Sequence, residues 1–229
     1  MNIFEVSNKE TVREFITLPI RLYKNEKFWI RPLDKDIESV FDPKRNKTFR
    51  NGTCIRWIIT GDDGKTIGRI AAFVNKKTTT KDNDQPTGGL GFFECINDQA
   101  AANLLFDTGK KWLEEQGMEA MDGPINFGER DKWWGCLVDG FNIEPNYNCN
   151  YNFAYYNDLF ESYGFQVYFK QFTFGRKVRD PFSDRLMKKG EKIMSDKESG
   201  YTFEHLRLKN LDKYTEDFRV VYNKAWARH

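Results

Sequence analysis

Three observations predict an α/β fold for this 229-residue chain. Two apolar runs, 54–60 and 67–74, flank Gly-Asp-Asp-Gly-Lys, a turn sequence that favours an antiparallel hairpin. Residues 88–121 then read as strand, helix, strand. Gly-Gly-Leu-Gly-Phe-Phe-Glu-Cys (88–95) leads through Asp98 into an Ala- and Leu-rich helix that stops at Gly117. A long Trp-rich loop follows, and then a further helix that ends in Leu-Phe-Glu-Ser-Tyr-Gly-Phe (159–165).

From the amino terminus, residues 2–6 read as a short strand. Ser7 and Glu10 form an S-x-x-E capping box for a helix to about Tyr23, with Val12, Phe15, Leu18 and Leu22 on one face. Pro19 falls inside that helix and should kink or split it. A shorter helix covers 34–40. After the hairpin, 78–87 is polar, contains Pro86 and reads as an exposed loop. The fourth strand is 90–95. Its following helix, from Asp98 to Gln116, buries Ala101, Leu104, Leu105, Thr108 and Trp112. Residues 118–121 are the fifth strand. The connection 124–150 is far longer than usual, and such loops are functional or disordered; its Trp and Phe clusters argue for order. Asn152 caps the last helix, Gly164 stops it, and 166–174 alternates as a final strand.

Beyond Gly175 the composition changes. Residues 176–180 are a charged linker, and 181–197 a helix with Phe182, Leu186 and Ile193 on one side. Tyr-Thr-Phe-Glu-His-Leu (201–206) and 210–226 then echo Ile-Phe-Glu-Val (3–6) and 8–29. Either the tail opens a second copy of the same module, or it is an ordinary helix. The domain reading is 1–176 as one domain, 177–199 as a linker helix and 200–229 as a strand–helix fragment.

Charge and rare residues narrow the chemistry. A balance of 36 basic against 34 acidic residues leaves a net charge of +2, which argues against a nucleic-acid partner. The pairs Lys76-Lys77, Lys110-Lys111 and Lys188-Lys189 are offset by acids and read as solvated faces. Mean hydropathy is −0.72. No apolar run reaches the roughly 18 residues of a membrane span, and no signal-peptide core opens the chain. No membrane partner and a cytoplasmic location are therefore expected. The four cysteines are widely spaced with no C-x-x-C pair, so reduced thiols and no metal site are expected. Histidine is confined to His205 and His229, which leaves carboxylates, tyrosines, cysteines or backbone dipoles for catalysis.

The element order of 88–174, the Leu-Phe-Glu-x-x-Gly-Phe helix end, Gly-Pro-Ile-Asn (123–126) and Asn-Phe-Ala-Tyr-Tyr (152–156) carry a resemblance. Together they resemble the acyl-CoA N-acyltransferase superfamily, the Gcn5-related acetyltransferases, and within it a bacterial acyltransferase-like subgroup. The resemblance covers about 1–176. It implies a mixed, mostly antiparallel sheet, a parallel step between the fourth and fifth strands, and helices on both faces. It also implies acetyl-CoA or another acyl-CoA as co-substrate and a small-molecule or peptide amine as acceptor; a homodimer is compatible with it.

Carried over by position, Phe93, Cys95 and Ile96 would hold pantetheine. Asn97, Gln99, Ala100 and Ala101 would hold pyrophosphate, because orphan N–H groups and the helix dipole favour anions there. Glu94 would be the base that deprotonates the amine. The acceptor wall would comprise Asn126, Glu129, Arg130, Trp134 and Tyr155, with Trp133 or Trp134 closing the pocket. The family's usual tyrosine, four residues before Gly-Phe, is Phe160 here and cannot transfer a proton. Of the nearby tyrosines 155, 156 and 163, Tyr156 is assigned to catalysis.

Two signatures depart from the family pattern. The Gly-rich pyrophosphate turn is replaced by Ile-Asn-Asp-Gln-Ala-Ala-Ala (96–102), and Asp98 puts a negative charge at that helix end. Either the cofactor is held in another way, or Asp98 is a plain N-cap and no nucleotide binds. Glu94 also admits a plainer reading, as a surface residue paired with a base. The Trp-rich loop admits one too, as an anchor with solvated charges. Cys95 and Cys149 could accept an acyl group, but with no histidine near them in sequence they read as protonated, buried spectators. The competing function is a catalytically silent module that keeps the fold as a binding or scaffold surface.

Overall fold

Alternating apolar residues build the centre of the sheet. The computed structural model describes residues 1–81, 83–196, 200, 202 and 204–227. In it β2 (Gly52–Thr60) and β3 (Thr66–Asn75) pair antiparallel across a turn at Gly64, whose φ of 76° suits glycine. β1 (Asn2–Glu5) adds to β2, β4 (Thr87–Cys95) adds antiparallel to β3, and β5 (Ala120–Asp122) adds in parallel to β4. The strand order is β1-β2-β3-β4-β5, and the parallel step between β4 and β5 is the one expected.

Side-chain period sorts the two faces. Trp57, Ile59, Ile70, Ala72 and Val74 pack with α3 (Gln99–Glu115) and α4 (Tyr155–Tyr163). The intervening Ile58, Ala71 and Phe73 pack with α1 (Lys9–Leu22) and α2 (Asp34–Val40). Within α3 the buried stripe is Ala101, Ala102, Leu105, Phe106, Gly109 and Leu113. Leu104 and Trp112 are half-buried, and Thr108 spends its hydroxyl on Leu104 O at 2.7 Å.

Helix ends follow local hydrogen bonding. Asp98 caps α3 as expected, accepting from Ala100 N at 2.8 Å and Ala101 N at 3.1 Å. Gly117 (φ 80°) follows its last turn, and Gly164 (φ 116°) ends α4. The cap of α1 is Asn8 rather than Ser7. Asn8 Oδ1 accepts from Thr11 N at 2.9 Å, and Thr11 Oγ1 accepts from Asn8 N at 3.2 Å. An amide and a hydroxyl thus close the box one residue later than the Ser–Glu pair would. Asn152 is not the cap of α4, which starts after Ala154 without a side-chain cap. Its amide instead accepts from Leu137 N at 2.6 Å and donates to Phe153 O at 2.8 Å, stitching the long loop to the helix approach.

Residues 166–174 form no strand, and Val167, Tyr168, Phe169, Phe172 and Phe174 are exposed. Alternation supplies two faces, but a strand also needs a neighbour to complete its ladder. The chain divides into two units, Met1–Phe169, which holds the sheet, and Lys170–His229. The second contains α5 (Asp184–Ser195) and α6 (Leu211–Trp226), the latter entered through a 3₁₀ turn at Leu208–Asn210. Of the strand expected at 201–206, positions 202 and 204–206 are irregular. Tyr201, Phe203 and Lys197, the expected helix end, lie outside the described residues, as does His229. Among the described residues no helix is long and apolar enough to cross a membrane.

One irregularity in β4 positions the site. Arg69 pairs with Glu94 but Ala71 pairs with Gly91, so β4 has one more residue than β3 between these pairs. The extra residue is a bulge at Phe92, whose φ is 51°. It reverses side-chain parity. Before it Gly88 and Leu90 face α3, and after it Phe93 and Cys95 do. Glu94 is thereby turned off the α3 side and set beside Arg69. Just before the bulge, an added Cβ on Gly91 would sit 1.9 Å from the backbone oxygen of Ile125. Gly91→Ala should therefore destabilise the fold by about 3 kcal/mol in urea unfolding; an unchanged midpoint would show that this approach is not tight.

Candidate active site

The carboxylate at the end of β4 is enclosed. The Glu94 side chain is 13% exposed and that of Arg69, opposite it on β3, is 5% exposed. Glu94 Oε1 accepts from Arg69 Nη2 at 3.3 Å. Oε2 accepts from the hydroxyls of Tyr23 and Tyr156, both at 2.8 Å. Pro19 explains how Arg69 is held. Proline has no N–H, so the carbonyl of Phe15, four residues earlier, loses its helical partner. Arg69 Nη1 donates to that carbonyl, and the guanidinium lies 4.8 Å from the Phe15 ring. Among the described residues Arg69 Nε has no partner.

Burial pushes the Glu94 carboxyl above the usual glutamate range, although Arg69 and the two phenols pull the other way. Burial likewise lowers the Arg69 guanidinium against the opposing pull of Glu94. Burial and the Glu94 charge hold Tyr23 and Tyr156 well above ordinary tyrosine values, so both phenols remain donors.

A cleft opens over this cluster. Ile16, Pro19 and Ile20 of α1, Trp29–Pro32 after it, Phe92–Glu94 of β4, Trp133, Gly135, Cys136 and residues 149–152 line it. Cys149 is exposed rather than buried as expected. Burial pushes the Cys95 and Cys136 thiols up to about 12, and partial burial raises Cys149, so none is a ready nucleophile. The long loop forms one wall because its backbone is pinned at several points. Ile125 N donates to Leu90 O at 2.7 Å, Gly135 N to Pro124 O at 2.7 Å, and Trp133 N to Asn148 O at 2.8 Å. Trp133, with φ 45°, is buried against the bulged Phe92 at 5.4 Å.

Of the residues expected to act, the structure gathers Glu94, Tyr156 and Phe93 at this cleft. Trp133, not Trp134, closes the wall; Trp134 lies under Arg130, 4.9 Å from its guanidinium. Glu129 pairs with Lys132 on the surface. Asn126 is buried beneath that turn, donating to Glu129 O at 3.2 Å. None of these four lines the cleft. Phe160 packs in the core against Phe93 and Phe106. Sequence reading missed Tyr23 and Arg69. Arg69 left a signal, a charge amid the apolar run Ile-Gly-Arg-Ile-Ala-Ala, since arginine is rarely buried unless paired. Tyr23 left none, because its partner lies 71 positions away.

Of the residues carried over for the cofactor, Cys95, Ile96, Gln99, Ala100 and Ala101 are engaged elsewhere. Ala100 and Ala101 give their amides to Asp98. Gln99 bridges to Leu159 O at 3.1 Å and to Asn103. Ile96 N donates to Ile67 O, and Asn97 is exposed. Cys95 gives its N–H to the Tyr156 hydroxyl at 3.0 Å, and its carbonyl accepts from the Tyr155 hydroxyl at 2.8 Å. These groups do not fit a coenzyme A pyrophosphate at the start of α3.

Comparison with known proteins gives acetyltransferases among solved structures. Aminoglycoside 6'-N-acetyltransferase AAC(6')-IG from Acinetobacter haemolyticus matches 78% of this chain and 99% of its own, with a TM-score of 0.46 and 12% identity. No protein-family model matches the sequence. Two curated proteins are similar over nearly the whole chain. One, from Caulobacter vibrioides, carries the name bacterial ceramide synthase and is 23% identical over 234 residues, 99% of this chain and 58% of that protein. The other is protein YghO of Escherichia coli, 24% identical over 228 residues, 97% of this chain and 55% of that protein. The chain thus spans little more than half the length of both.

The buried pair has two measurable consequences. Arg69→Met leaves Glu94 without its cation and should cost about 3–5 kcal/mol in denaturant unfolding. Adding Glu94→Gln should recover part of that loss, whereas strict additivity would mean that the two do not interact. The folded carboxyl of Glu94 titrates above its unfolded value. Its stabilising protonation is therefore complete below the ordinary glutamate range and is lost as pH rises through the folded value. The stability of Glu94→Gln relative to wild type should accordingly increase across that window, as read by thermal melts at a series of pH values.

Proposed function

We propose that the cleft over Glu94 is the acceptor site of an N-acyltransferase, where an amine nitrogen gives up a proton as it is acylated. One observation carries this reading: a carboxylate with a raised pKa in a cleft whose walls combine apolar and polar side chains. Such a group is tuned toward the pH at which a general base works best. A carboxylate offers about four lone-pair sites. Tyr23 and Tyr156 occupy both on Oε2, and Arg69 takes one on Oε1. The remaining site on Oε1 is available for an N–H.

Each neighbouring side chain then has a role. Tyr156 is a positioning residue, since its hydroxyl bridges the Cys95 amide and Glu94. Arg69 keeps the carboxylate ionisable despite its burial. The apolar walls, with Ile16, Ile20, Trp29, Ile30 and Trp133, suit an amine attached to a hydrocarbon body. The name of the Caulobacter relative supports the same class, because a ceramide is the amide formed when a long-chain lipid amine is N-acylated. An acyl thioester such as acetyl-CoA or a longer acyl-CoA would supply the acyl group.

The rival reading, a silent binding module, draws its support from the self-capped start of α3. One assay separates the two. The chain is incubated with acyl-CoA and a panel of primary amines, including long-chain amines, and amide product is measured by mass spectrometry. The acyltransferase reading expects product, a loss of about 10²–10⁴-fold in Glu94→Gln, and an acid limb of the pH–rate profile above the ordinary glutamate range. Absence of amide from wild type across the panel would favour the silent module.

A further inference from the structure

We infer that the first unit does not hold the nucleotide of an acyl donor at the start of α3, and that Asp98 is the specificity-determining residue that excludes it. Two independent observations meet here. The first is at the helix end. The N–H groups that would receive a phosphate are those of the first turn. Ala102 N already closes the helix onto Asp98 O at 3.0 Å, and the Asp98 carboxylate takes Ala100 N and Ala101 N. An internal anion thus occupies the anion site and repels another. No basic residue stands in 96–102 to offset it.

The second observation is on the strand. The last residue of β4, Cys95, is bonded twice by α4, its N–H donating to the Tyr156 hydroxyl and its carbonyl accepting from the Tyr155 hydroxyl. Gln99 ties the same end of α3 to Leu159 O of α4 at 3.1 Å. Asp98, Tyr155 and Tyr156 thus satisfy from within the chain the Ala100, Ala101 and Cys95 groups that a diphosphate and a thioester arm would use. The donor's nucleotide therefore gains no binding energy at this helix end, and recognition there is confined to the acyl and thioester end.

The inference rests on the acyltransferase reading only for the existence of a donor. Its test is binding. Coenzyme A and pantetheine, which lacks the nucleotide, are titrated calorimetrically into the full chain, alongside a long-chain primary amine. Wild type should bind the two thiols within threefold of one another, including the case where neither binds up to millimolar. Asp98→Gly removes the internal carboxylate at a small cost in capping. It should tighten coenzyme A at least tenfold relative to pantetheine, and the gain should shrink with added salt. Wild-type affinity for coenzyme A tenfold or more above that for pantetheine would overturn the inference, as would a folded Asp98→Gly with no gain. If Asp98→Gly fails to fold, the wild-type ratio still decides. Failure of the amine to bind would count against the acceptor reading and leave this inference standing.

Discussion

The site depends on a buried charge pair that each partner needs in order to remain inside. A guanidinium and a carboxylate taken out of water both lose several kcal/mol of solvation, and only close pairing and full hydrogen bonding offset this. Glu94 is supplied with three donors, and Arg69 with the carboxylate, a carbonyl and the face of Phe15. That carbonyl is free because Pro19 cannot close the helix turn over it. A residue that ordinarily breaks helices here leaves α1 continuous, with Tyr23 N donating to Pro19 O at 2.8 Å. One face of α1 thereby becomes the acceptor for a strand arginine, and its end delivers the Tyr23 hydroxyl to the same carboxylate.

Aromatic packing makes that arrangement rigid. Tyr23 is stacked between Trp29 at 5.0 Å and Phe153 at 4.5 Å, so its hydroxyl has little freedom to leave Glu94. Tyr156 is wedged against Phe93 and Tyr155. Much of the 16% aromatic content is spent around this cluster and in the Phe93–Phe106–Phe160 stack behind it. The walls are therefore preorganised, and the carboxylate's surroundings need little rearrangement to meet a ligand.

Sequence reading recovered what is encoded locally. The hairpin, the Asp98 cap, the left-handed stops at Gly117 and Gly164, and the strand–helix–strand order all follow from residues a few positions apart. It misplaced what two adjacent residues could do equally well, as at Ser7 and Asn8. It also over-read 166–174, where periodicity was present but no partner strand was. At the site Glu94 and Tyr156 were legible, whereas Arg69 and Tyr23 were not assigned, because their roles arise only when distant segments meet. The charged residues of 129–131 drew notice by their density, yet the loop turns them outward and presents Trp133 instead.

The bulge at Phe92 also sets how the chain tolerates changes of length. Removing a single residue between Leu90 and Phe93 would restore ordinary alternation in β4 and leave Phe93 two positions after Leu90, so Phe93 and Cys95 would stay beneath α3 and Glu94 opposite them. Removing both Gly91 and Phe92 would instead exchange the face of every later side chain on the strand. Glu94 would then point into the apolar packing beneath α3, and Phe93 and Cys95 would face the polar cluster. At this position the reading frame of the strand itself separates the core from the chemistry.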